Sequence, residues 1–388
     1  MILYAGFISR DSGTSERVFE IAENLAKKGV NILLSGVPKD PPENSRIHLV
    51  RMPSRITDLP GIISWIIQLV TIAVTEGRYH VIQVESFSSL RSLVLYLILC
   101  PFGRRFVVVF HDSYLEYDPR KSIIGRFNLA LQRILLTLSD ASITPGLSVK
   151  RRFMEIHGGL ADGKMIVMPN GAPRFETSST ANALEIRKNY GIDPTAFVAL
   201  FFGSMTFRPN YDAALYLYEK SALVAQEFEK KTRKKLVFVV AGNDSETLPK
   251  TGCYVPIGFV KELAKLFALP DTIVLPHSVS DSGPHVKTMY AFLSRKPVIA
   301  TDDAVKDMPS LVQGLHFLPL DINDPSALAS RLSELYFDAE LRQRLASGAY
   351  LYSKELSWAR ISGMHIRLYR QLLLDRRSKS RVLPLQET

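Results

Sequence analysis

Two cysteines, Cys100 and Cys253, are all the thiol chemistry that 388 residues offer, and they stand far apart in no CxxC spacing. That scarcity excludes a disulfide framework, gives no zinc-ligand pattern, and fits a reducing, cytoplasmic location. The opening Met1-Ile2-Leu3-Tyr4-Ala5-Gly6 lacks the basic start and cleavage site of a signal peptide and reads as a first strand. Long apolar runs are missing too: Ile62 to Val74 stops short of the about 20 residues that a bilayer takes. No helix-turn-helix, zinc-finger or RNP signature is present, which argues against nucleic acid as a partner. No DxD element near a strand end offers a metal site, and Asp302-Asp303, adjacent rather than spaced, is expected to begin a loop.

What is present describes an ordinary globular chain, 46% hydrophobic and 22% charged. Its length favours two domains of roughly 150 to 200 residues. The formal net charge of +10 suits an anionic substrate or an anionic lipid surface. Basic residues are dispersed, apart from the run Lys230 to Lys235 and the tail at Arg376-Arg377-Ser378-Lys379.

The first forty residues read as strand, glycine turn, helix, strand. Ile2 to Ile8 precedes Ser12-Gly13-Thr14; Val18, Ile21, Ala22 and Leu25 then fall at helical spacing on one face, Gly29 caps the helix, and Val30 to Leu34 follows. Further strands are expected at 80–84, 106–110, 141–144 and 165–168, all short and nearly continuous in apolar residues, as in a parallel sheet covered on both faces. A second series starts after the polar stretch Glu176 to Thr180, with strands at 197–202, 236–240, 272–275 and 297–300. The domains expected are therefore 1–178, 179–355, and a C-terminal helix with a basic tail over 356–388. In the first half Ser64, Gln68 and Thr71 stripe an otherwise apolar helix, and the apolar run Leu90 to Cys100 is followed by Arg104-Arg105. Such segments suit helices packed on a sheet, or a face that touches a membrane.

The segment from Pro276 to Thr301 resembles the donor-binding segment of GT-B glycosyltransferases of family 4, running from a strand through a glycine turn into a helix and ending in Pro297 before the next strand. Other matches fall in the family's order: His111-Asp112 after a strand, Met168-Pro169-Asn170-Gly171, and Phe202-Gly203-Ser204-Met205 with Arg208-Pro209-Asn210-Tyr211-Asp212-Ala213. Val239 to Gly242 and Ile257 to Val260 resemble the family's next two strands, and Ser357-Trp358 with Tyr369 its final helix. The resemblance implies a GT-B fold: two Rossmann-like α/β domains whose parallel sheets face across a cleft, with the last helix crossing back to the first domain.

It also implies an activity, the retaining, metal-independent transfer of a sugar from a nucleotide-sugar donor. The acceptor would be a glycan, a glycolipid or a lipid-linked molecule, in surface polysaccharide or glycoconjugate assembly. No cofactor is implied beyond the donor itself. Two other readings keep the fold: a nucleotide-sugar epimerase, and a non-catalytic scaffold or partner protein.

A diphosphate needs backbone donors, fixed positive charge and room for close approach. Gly283 leaves out a side chain, Pro284 suits a first helical position, and Lys287 lies one turn further on. By resemblance Lys287 contacts phosphate. Tyr290 stands where the family has the second glutamate of its E-x7-E ribose pattern, and Asp281 or Ser282 stands near the first. Ser204 and Pro209 occupy places where the family has arginine and lysine, and Arg208 is the nearest replacement, able to grip phosphate oxygens bidentately. Gly203, Asn210 and Gly242 complete the donor side, and in the first domain Gly13 would let the donor approach the backbone after strand one. His111, Asp112 and Glu85 follow strands and are the catalytic candidates, Glu85 to orient an acceptor hydroxyl.

Overall fold

Strands whose every residue is buried, such as Phe197–Phe202 and Leu236–Ala241, need apolar cover above and below, and both are roofed by helices on each side. The computed structural model describes residues 1–5, 13–36, 44–51, 59–75, 79–86, 89–110, 122–173, 182–278, 286–324 and 326–374. Two compact units divide the chain: Met1–Gly171 with the described chain from Ser357 onward, and a second made largely of the residues from Ala172 to Leu356.

In the first unit the order is β1 (Ile2–Ala5), α1 (Gly13–Lys27), β2 (Ile32–Gly36), β3 (Ile47–Arg51), α2 (Leu59–Thr75), β4 (Tyr79–Ser86) and α3 (Ser89–Leu99). Then come β5 (Gly103–Phe110), α4 (Ile123–Leu138), β6 (Ala141–Thr144), α5 (Leu147–His157), α6 (Gly159–Asp162) and β7 (Met165–Val167). The strands pair in parallel in the order β3-β2-β1-β4-β5-β6-β7. Alternation along the strands sends successive side chains to opposite faces: Phe106, Val108 and Phe110 meet Trp65 and Leu69 of α2 and Leu95 of α3, while Val107 and Val109 join Val18 and Ile21 of α1. The first helix ends as its sequence suggests, with Gly29 at φ +84.

The second unit runs α7 (Ala183–Asn189), β8 (Phe197–Phe202), α8 (Arg208–Thr232), β9 (Leu236–Ala241), β10 (Tyr254–Pro256), α9 (Leu263–Ala268) and β11 (Thr272–Leu275). It continues with α10 (Val286–Leu293), β12 (Val298–Ala300), α11 (Asp302–Val305), β13 (Leu318–Pro319), α12 (Ala327–Phe337) and α13 (Ala339–Glu355). Its parallel order is β10-β9-β8-β11-β12-β13, around one continuous core. The last helix, α14 (Trp358–Leu374), belongs to the first unit, where Trp358, Ile361, Leu368 and Leu372 join the α1 side of the core.

Several expectations are corrected. The strand expected at Ile257 to Val260 is β10, which ends at Pro256: Ile257 N still donates to Val240 O at 2.9 Å, and Gly258 at φ +74 then turns the chain. Asp302-Asp303 begins the short helix α11, because Thr301 caps it by accepting from Ala304 N at 3.3 Å and two carboxylates suit a helix start. Two edge strands, β3 and β13, were not expected. β3 is interrupted by the exposed His48 and β13 has two residues, so neither shows a continuous apolar run.

Candidate functional site

Two glycine turns at the C-terminal ends of neighbouring strands build one wall of a candidate anion site in the second unit. Gly203 follows β8 and Gly242 follows β9, at φ +154 and +133. They press together so closely that a Cβ on Gly242 would lie 1.9 Å from Gly203 O, and one on Gly203 would meet Asn210 Nδ2 at 2.7 Å and Lys287 Nζ at 3.1 Å. Only glycine tolerates both the left-handed backbone and the contact.

Asn210, buried in the first turn of α8, donates from Nδ2 to Ser204 O at 2.8 Å, and its Oδ1 accepts from Lys287 Nζ. His277, 1% exposed just beyond β11, sets Nε2 3.0 Å from Lys287 Nζ. The same ammonium lies 5.4 Å from the centre of the Phe201 ring. Lys287, Asn210, His277 and the two glycines thus converge where open α/β sheets place their ligands, beyond the C-terminal ends of the strands. Burial pushes the Lys287 pKa down to about 7, so without an anion the amine titrates near neutrality, and a phosphate beside it would restore the charge.

The remaining donor-side candidates are placed as follows. Tyr290 is half-buried on α10, three residues after Lys287. Ser204 Oγ pairs with Thr206 Oγ1 at 2.8 Å, and its carbonyl is the Asn210 acceptor. Arg208 points outward with its side chain 79% exposed and holds Asp212 at 2.7 Å, so its guanidinium is engaged by a neighbour one turn on. Gly13 is the first residue of α1. Asp281, Ser282, Gly283, His111 and Asp112 lie outside the described residues.

Glu85, 2% exposed at the end of β4, belongs to a buried polar network in the first unit. Its Oε1 accepts from Gln83 Nε2 at 3.1 Å; that amide also reaches Tyr4 Oη at 2.6 Å, and Gln83 Oε1 accepts from Tyr369 Oη at 2.6 Å. His365 Nδ1 lies 3.2 Å from the same Tyr369 hydroxyl. Nearby, the fully buried Arg17 of α1 donates to Asn170 Oδ1 at 2.8 Å, Pro169 O at 3.1 Å and Met168 O at 3.2 Å. Burial lowers the Arg17 pKa and attraction to Glu85 opposes that fall, which makes the carboxylate its electrostatic counterpart. Sequence reasoning missed Arg17, Gln83 and Tyr4, which are far apart along the chain, and took Tyr369 only as part of the final helix. It also left His277 without a role, although the residue stands inside the segment that carried the resemblance.

The sequence matches two family descriptions in series: Glycosyltransferase Family 4 over residues 12–173, and Glycosyl transferases group 1 over residues 196–338. Solved structures resemble it in fold. A glycosyltransferase from Rickettsia africae ESF-5 superposes with a TM-score of 0.70 at 14% identity, covering 96% of this chain and 98% of the other. Anabaena Alr3699/HepE in complex with UDP and glucose gives 0.65 at 15% identity over 95% and 99%. WaaG, a glycosyltransferase involved in lipopolysaccharide biosynthesis, gives 0.62 at 14% over 95% and 99%. No curated protein sequence matches the chain.

The fold is therefore GT-B. By its two matched segments, the chain belongs to the family 4, group 1 glycosyltransferases.

Proposed function

We propose that this protein transfers a sugar from a nucleotide-sugar to an acceptor hydroxyl with retention at the anomeric carbon. The observation that carries the proposal is the convergence of Lys287, Asn210 and His277 on a wall made bare by Gly203 and Gly242. A nucleoside diphosphate is the leaving group that such a site suits. As the bond from the anomeric carbon to the diphosphate oxygen breaks, negative charge grows on that oxygen, and the acceptor oxygen bonds to the same carbon while its proton leaves with the diphosphate. Lys287, charged once phosphate is beside it, opposes the growing charge, and Asn210 and His277 fix its ammonium in place. In this reading the lysine fills the part that a metal ion plays in other transferases, and the reaction runs without metal. On the donor side, Tyr290, Ser204, Arg208 and the segment from Asp281 to Gly283 are proposed to line the nucleotide; His111, Asp112 and Glu85 are assigned to the sugar and acceptor.

The donor class is supported by the UDP and UDP-glucose complexes of Anabaena HepE, a structure of the same fold. The acceptor proposed is a glycan or lipid-linked glycan of surface polysaccharide assembly, a reading supported by the likeness to WaaG. The work would take place on the cytoplasmic side, at the membrane surface. No described helix is long and apolar enough to cross a membrane.

A thermal-shift series with UDP, GDP, ADP and their glucose conjugates, run on the native protein and on Lys287→Ala, tests the donor site. One nucleotide series is expected to raise Tm, and the variant to weaken that binding by about a hundredfold, as for a lost charge-assisted contact to phosphate. If no nucleotide shifts Tm, the non-catalytic scaffold becomes the better reading, in keeping with Tyr290 where the family has a carboxylate. A nucleotide shift accompanied by conversion of the nucleotide-sugar without any acceptor would favour the epimerase.

A further inference from the structure

Helices α2, α3 and α4 all lie on one face of the seven-stranded sheet, anchored by Trp65 and Leu69, Leu95 and Leu99, and Leu135 and Leu136. Their opposite sides should be polar, yet each carries a stripe of exposed apolar residues. Ile67 is 58% exposed and Val74 68% on α2, Leu97 61% on α3, and Ile123 78%, Ile124 75% and Phe127 55% on α4. On each helix the exposed apolar residues recur at helical spacing: 63, 67 and 74; 90, 94 and 97; 123, 127, 134 and 138. Apolar stripes on the outer sides of three helices of one sheet face are more than the scattered single residues that a water-facing surface ordinarily shows.

Charge says what covers it. The three helices contain no aspartate or glutamate. Arg126 and Arg133 are exposed on α4, each one position round from the apolar stripe, and Arg104 is exposed at the start of β5. Among the described residues none of these three pairs with a carboxylate, whereas Arg105 is held by Asp140 at 3.0 Å. On α2 the neighbours of the apolar stripe are the exposed Ser64, Gln68 and Thr71, neutral groups that donate hydrogen bonds to water or headgroup oxygens. A protein partner complementary to this face would have to place acidic groups beside a broad apolar field. An anionic bilayer supplies both at once, acyl chains for the isoleucines and phosphates for the arginines, whose long stems let their guanidinium groups rise to the headgroups.

We infer that the outer face of α2, α3 and α4 is a docking surface for an anionic lipid bilayer, on which the first unit lies without crossing it. The inference stands on the first unit alone and does not depend on glycosyl transfer.

The test is co-sedimentation of the full chain with vesicles of phosphatidylcholine alone and with about 30% phosphatidylglycerol added. Native protein is expected to sediment with the anionic vesicles and much less with the neutral ones, and to be released by high salt. Ile124→Asn with Phe127→Asn, and separately Arg126→Glu with Arg133→Glu, should each reduce binding about tenfold. All four positions are exposed, so circular dichroism and the melting curve should be unchanged, as should any nucleotide-induced shift, which reads the second unit. Equal binding to neutral and anionic vesicles, no binding to either, or variants that bind as well as native protein would each overturn the inference. A native dimer that the apolar variants convert to monomers, with no vesicle binding, would make this face a contact between two copies instead.

Discussion

Lys287 is the residue on which most of the proposed chemistry turns, and its ionisation gives a signed prediction. The unfolded lysine holds a proton up to about its ordinary pKa of 10.5, the folded one only to about 7. Between those values the unfolded chain binds more protons, so the stability of the ligand-free protein should rise from pH 7 towards pH 10; below 7 both forms are charged and the cost of burying the cation is fully present. Denaturant melts across that range should show the rise in native protein and a flatter profile in Lys287→Met. Binding of a diphosphate should reverse the shift and take up close to one proton above pH 7. Calorimetry in buffers of different ionisation enthalpy reads that uptake, and equal heats in all buffers would refute it. At Gly242 the effect is steric: Gly242→Ala drives a Cβ into Gly203 O and should destabilise by about 3 kcal/mol or more, measured by urea unfolding.

Among the elements, α14 begins in close contact with a glycine turn. Gly171, the last residue of the Pro169-Asn170-Gly171 turn, lies under Trp358, where an added Cβ would come within 2.4 Å of the indole. Gly171→Ala should therefore destabilise strongly in native protein and much less once Trp358 is alanine. Trp358→Ala alone should cost about 3 to 5 kcal/mol, as expected for a buried indole. A double-mutant cycle followed by thermal melting gives the coupling; additive effects would mean that the turn and the helix do not constrain each other. Arg17 contributes from the other side, pinning Met168 O, Pro169 O and Asn170 to α1.

At the level of the molecule, the two units have separate cores, and the second is continuous in sequence between Ala172 and Leu356 among its described residues. Residues 172–356 expressed alone should melt cooperatively and retain the nucleotide response of the full chain. Residues 1–171 alone would expose the side of Val18, Ile21 and Leu25 that α14 covers, and should stay soluble and fold only when 357–374 is supplied. Circular dichroism with a cooperative near-ultraviolet transition distinguishes these outcomes, and a lone 1–171 that folds without help would remove α14 from the first core.

The sequence by itself determined the class of fold. Buried parallel strands must be short apolar runs, and the amphipathic period of α1 with its glycine cap is local, so 197–202, 236–241, 272–275 and most of the first sheet could be read directly. Edge strands such as β3 and β13 escaped because a strand exposed on one side, or two residues long, leaves no such run. Of the candidate site, Lys287, Asn210, Gly203 and Gly242 were legible through the order of short motifs, and the tertiary structure added His277 as the neighbour of that lysine. Only the tertiary structure decided that Gln83 meets both Glu85 and Tyr4, that Arg17 holds the turn before Gly171, and that Arg208 turns outward to Asp212. Periodicity records which face of an element leaves water. Which distant polar groups then face one another is fixed by how those elements pack, because a buried hydrogen bond depends on a distance in space that no local spacing encodes.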